Sequence, residues 1–151
     1  MANEVLRILL IPGYEAVDEL SIFLEKLLNK LYKIKIFVIG EKCVVEQIGK
    51  RLGRKFLSHG NVVLYKINYR LDNIFDEALR LFININPSII IYFLRKDYKN
   101  GFDARLFYPL ALNKGVYVCS YIGCGSSYIG VGEIVYNVDD LISLIEGYSR
   151  A

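Results

Sequence analysis

The sequence predicts an α/β fold: a three-layer, Rossmann-like, mostly parallel sheet of five to six strands with helices on both faces. Three observations predict it. Short β-branched apolar runs recur along the whole chain, the strongest being I-I-I-Y-F before Leu94 and V-Y-V-C-S-Y before Ile122. Between the runs lie segments whose apolar residues return every three or four positions, the period of a helix packed by one face. Gly, Pro or Asn punctuates most of the junctions, so the chain reads as a repeated βα grammar and therefore as parallel strands joined by crossovers.

Leu6 to Ile11 (L-R-I-L-L-I) reads as the first strand, stopped by Pro12-Gly13 because proline has no N–H for the ladder. Asp18 and Glu19 then open a helix whose apolar stripe is Val17, Leu20, Phe23, Leu24, Leu27, Leu28 and Leu31. Lys35 to Ile39 is the second strand, ended by Gly40. In the second helix, over Val44 to Leu57, Val44, Ile48, Leu52 and Phe56 share a face and Lys50, Arg51, Arg54 and Lys55 occupy much of the other. Gly49 and Gly53 each cost a helix about 1 kcal/mol against alanine, which close packing on the sheet would explain.

Ser58 to Asn61 is a turn and Val62 to Ile67 the third strand. Asp72 is expected to cap a helix over Asn73 to Phe82, which Ile85-Asn86-Pro87 ends. Ser88 to Phe93 is the most hydrophobic strand and belongs at the centre. After Asp103, Pro109 either kinks a helix or takes its first position near Tyr108, and Gly115 closes it. Val116 to Tyr121 is the fifth strand, Gly123 to Gly132 a small-residue loop, Glu133 to Tyr136 a short sixth strand, and Asp139-Asp140 open a last helix through Tyr148.

A chain of 151 residues with 54% hydrophobic residues suits one domain, 1–151, with a sizeable core. A net charge of +3, spread along the chain, is too weak a bias to argue for nucleic acid. Three cysteines without C-x-x-C spacing and a single His59 supply no metal-ligand set, and no cofactor is expected. The N-terminus lacks a signal-peptide pattern and no apolar run approaches the roughly 20 residues of a membrane span, so a cytoplasmic protein is expected.

In parallel α/β sheets ligands bind beyond the carboxyl ends of the strands, where the strand order reverses. The exit loops there carry Pro12-Gly13-Tyr14-Glu15, Gly40-Glu41-Lys42-Cys43, Arg95-Lys96-Asp97 with Gly101, and Gly123-Cys124-Gly125-Ser126-Ser127. Gly13, Gly40, Gly101, Gly123 and Gly125 would let backbone N–H groups approach an anion. Lys42, Arg95 and Lys96 would face its phosphates, Ser126 lies in a nest-like segment, and Tyr14 is placed to stack on a base. A tight βα turn favours glycine on its own account, so both roles stay open for Gly13 and Gly40. Cys43 and Cys124 reach the same edge, but His59, the base a thiolate would need, is expected at the other end of the sheet.

The glycines after the first two strands, Gly101 before the helix that leads to K-G-V-Y-V, and the tail V-Y-N-V-D-D-L-I-S-L-I resemble the layout of the SLOG Rossmann-like superfamily. That superfamily includes phosphoribohydrolases, molybdenum-cofactor carrier-like proteins and small YspA-like stand-alone domains. The family's Gly-Gly-x-Gly-Thr phosphate loop, followed by a helical glutamate, corresponds here to R-K-D-Y-K-N-G-F-D-A-R. Gly101 alone carries over, with Phe102 in place of threonine and Arg105 near the position of the acid. The resemblance implies a bound small-molecule nucleotide, in a sensor or carrier, without hydrolysis. An alternative is a nucleoside or nucleotide N-glycosidase with Glu15 or Glu41 as its carboxylate. Another is a non-catalytic homo-oligomeric module, with Phe102, Phe107 and Tyr108 in its interface.

Overall fold

The computed structural model describes residues 5–12, 17–31, 33–57, 61–68, 73–94, 102–123 and 132–150. In chain order they form β1 (Leu6–Pro12), α1 (Val17–Lys30), β2 (Ile34–Gly40), α2 (Lys42–Leu57), β3 (Val62–Lys66) and α3 (Ile74–Ile85). There follow β4 (Ile89–Leu94), α4 (Phe102–Lys114), β5 (Tyr117–Ile122), β6 (Glu133–Val135) and α5 (Val138–Arg150). The six strands make one sheet in the order β3-β2-β1-β4-β5-β6, and every neighbouring pair is parallel. The strand order therefore turns back between β1 and β4, where Ile8 pairs with Ile89 and Pro12 with Phe93.

Helices cover both faces because the central strands are apolar on both. In β1, Ile8 and Leu10 point into a core with α1, α2 and α5 through Leu20, Phe23, Leu24, Ile48, Leu141 and Ile145. Leu9 and Ile11 point the other way, toward Ile74, Ala78 and Phe82 of α3 and Phe107 and Ala111 of α4. Each such side chain taken out of water contributes roughly 1.5–3 kcal/mol. β3 and β6 form the margins and are the shortest strands, with partly exposed side chains.

Several local details correct the sequence reading. The N-cap of α3 is Asn73, with no side-chain cap bond, and Asp72 lies outside the described residues. At its other end Asn86 adopts the left-handed conformation (φ 49°) and its N–H returns to the Phe82 carbonyl at 2.9 Å, a C-cap that Pro87 then seals. Arg7 Nε donates to the last carbonyl of the helix, that of Ile85, at 2.5 Å, placing a cation where the helix dipole is negative. The last helix is capped by Asn137, whose side-chain oxygen accepts from the Asp140 N–H at 2.7 Å.

α4 begins at Phe102, so Pro109 stands inside it rather than opening it. The helix ends on Gly115 (φ +67°), with the Val116 N–H bonded to the Ala111 carbonyl. Close packing at Gly49 is found: a Cβ there would lie 3.3 Å from Leu64 Cδ1 of β3.

Candidate functional site

Because all strands run the same way, their exits gather at one edge of the sheet, and two features there carry chemistry. The first lies beside the β1/β4 switch point. Tyr121, near the end of β5, stacks on Phe93 of β4 with ring centroids 4.4 Å apart, and Phe93 in turn meets Phe23 of α1 at 5.4 Å. This aromatic row is buried, Tyr121 being only 4% exposed. Its one polar tip donates a hydrogen bond to the carboxylate of half-buried Glu19, in the first turn of α1. A buried phenol needs such an acceptor. Asp18, next to Glu19, forms an exposed ion pair with Arg51 of α2 at 2.8 Å.

The second feature is an open groove of about 620 Å³ over the exits of β2 and β3, lined by Glu41, Lys42, Cys43, Glu46, Lys66, Ile67 and Asn68. It forms where the Ile67 N–H bonds the Gly40 carbonyl at 2.9 Å and α2 starts immediately after β2. α2 has no acid in its first turn, and Lys42 is its first residue. Lys66 Nζ lies 3.4 Å from Glu46 Oε1, an exposed pair worth at most about 1 kcal/mol and easily exchanged for another anion. The lining thus offers two ammonium groups and two carboxylates.

Of the residues read from the sequence, Glu41, Lys42 and Cys43 meet in this groove. Gly40 lies beneath it: its φ is not in the left-handed range, and a Cβ would make ordinary contact with Val45 (3.5 Å) and Pro12 (3.7 Å), so the turn itself does not require a glycine. Gly123 is buried at the end of β5. Gly13, Tyr14, Glu15, Arg95, Lys96, Gly101, Gly125 and Ser126 fall outside the described residues, as do Cys124 and His59. Burial pushes the Cys119 thiol up to about 12, leaving it protonated and inert at neutral pH.

Of the aromatics expected in an interface, Phe107 is fully buried in the core, while Tyr108 is half-buried. Large apolar side chains are exposed instead at Phe75, Leu79 and Ile83 of α3 and Leu112 of α4. The Phe102 side chain lies outside the described part. Sequence reasoning missed the Glu19–Tyr121 pair because its members are 102 residues apart and neither sits in a motif.

A further cavity of about 340 Å³, bounded by Asn86, Ser88, Lys114, Gly115 and Tyr148, lies at the opposite edge among the carboxyl ends of α3 and α4, whose carbonyls disfavour an anion. Among the described residues no three His, Cys, Asp or Glu side chains are grouped to hold a metal, and no helix is long and apolar enough to cross a membrane. Comparison of the sequence with protein-family models and with curated proteins finds no match to either.

Proposed function

We propose that this chain binds a nucleotide or nucleotide-derived anionic ligand in the cleft at the carboxyl edge of its sheet, as a sensor or carrier of the SLOG type. The observation that carries the reading is the groove over the β2 and β3 exits. There Lys42, the first residue of a helix with no acid in its first turn, and Lys66 stand with Glu41 and Glu46 at the edge where parallel α/β sheets take their ligands. The degenerate phosphate loop at R-K-D-Y-K-N-G argues for binding without hydrolysis.

Thermal-shift measurements with AMP, ADP, ATP and cyclic dinucleotides test the proposal. A ligand at 100 times its Kd stabilises the folded state by about 2.7 kcal/mol, which for a chain of this size raises Tm by roughly 5–10 °C. The double substitution Lys42→Glu, Lys66→Glu is expected to remove that rise while leaving the unliganded Tm within about 2 °C, because both side chains are exposed. Failure of every nucleotide to raise Tm would overturn the proposal.

A further inference from the structure

Resting on the nucleotide reading, we infer the charge class of the ligand: the groove takes a nucleotide with a single phosphate, and Glu46 sets that limit by holding Lys66.

α2 carries Lys42 and Glu46 four residues apart, hence on one helical face, and both line the groove. Glu46 is paired with the neighbouring strand: its Oε1 lies 3.4 Å from Nζ of Lys66, the last residue of β3. Among the described residues Lys42 forms no ion pair, and as the first residue of α2 it stands where the helix dipole is already positive. The groove thus presents one cation outside any pair and one that is already matched.

A first phosphate can settle at Lys42 with the existing pair kept. A second must draw Lys66 away from Glu46, and the displaced carboxylate stays in the same lining, where it repels the phosphate it made way for. Glu41 adds a further negative charge, so two carboxylates balance two ammonium groups and no positive surplus is left for a di- or triphosphate. Because the side chains of Lys66 and Glu46 are 54% and 44% exposed, the hold is modest, and what it produces is a preference among ligands rather than an absolute barrier.

Calorimetric titration of AMP, ADP and ATP into the full chain and into its Glu46→Gln and Lys66→Gln variants tests the inference. For the unaltered chain the three affinities are expected to agree within about fivefold, because the added phosphates find no open cation. Glu46→Gln keeps the size of the side chain and frees Lys66; it is expected to tighten ADP and ATP by about three- to tenfold and AMP by less than about twofold. In the Lys66→Gln background the same Glu46→Gln change is expected to tighten ADP by less than about twofold, since no cation remains to be released. The unliganded Tm of Glu46→Gln should stay within about 2 °C of the parent, which separates competition for the phosphate from loss of structure. The inference is overturned if affinity rises more than fivefold from AMP to ATP, if Glu46→Gln leaves ADP unchanged or weakens it, or if that variant tightens AMP as much as ADP. ATP-favoured binding that disappears in the double lysine variant removes the single-phosphate limit and leaves the nucleotide reading intact. Absence of binding by all three nucleotides removes both.

Discussion

At the scale of single residues, two glycines show how differently the same letter is used. A Cβ on Gly132 would stand 2.1 Å from the carbonyl oxygen of Val118, and its φ of +72° is one that side chains rarely adopt. At Gly40 there is room for a methyl group in ordinary contact. We therefore expect Gly132→Ala to destabilise the fold by about 2–3 kcal/mol and Gly40→Ala by less than about 0.5 kcal/mol, measured as shifts of the urea midpoint at constant m. Position in the sequence suggests the opposite ranking, because Gly40 directly follows a strong strand while Gly132 lies in a run of small residues. Only the approach of β6 to β5 reveals which glycine is indispensable. The same blindness hid Tyr121 and Glu19, whose bond depends on how β4 and β5 stand beneath α1.

At the scale of elements the chain was largely readable. All six strands and five helices lie where hydrophobic period and punctuation put them, to within about two residues, except for the start of α4 and the later reach of α3 to Ile85. The early start of α4 has a physical reason: burial of Phe107 and Ala111 under the sheet compensates the bond that Pro109 cannot make. Pro109 is exposed and α4 runs unbroken past it, so Pro109→Ala restores a backbone donor at no cost in packing. We expect that substitution to raise stability by about 1 kcal/mol and to increase helical ellipticity slightly. A loss of stability would mean that the proline supports a bend on which the packing depends.

At the scale of the whole molecule, alternating elements implied a parallel sheet with two covered faces, and that is what forms. The order of the strands was not legible, since βα repetition is compatible with more than one winding. It is the order that locates the switch point, and with it Glu19. Burial grades outward from β1 and β4, whose side chains are almost wholly enclosed, to three-residue β6. Native-state hydrogen exchange should follow that grade, with the amides of Leu9, Leu10, Ile90 and Ile91 opening only by global unfolding and those of β6 exchanging orders of magnitude faster. Uniform protection across the sheet would contradict it.

The pairing of Ile8 with Ile89 has a consequence during synthesis. β1 is made well before β4, one of its two lateral partners, which lies about eighty residues behind it, and until β4 emerges the nascent strand exposes an unpaired edge whose side chains are aliphatic from Ile8 to Ile11. Closing so long a loop is entropically slow, which places this chain among the slower folders for its length. In the cell it is at its most adhesive while it is half made.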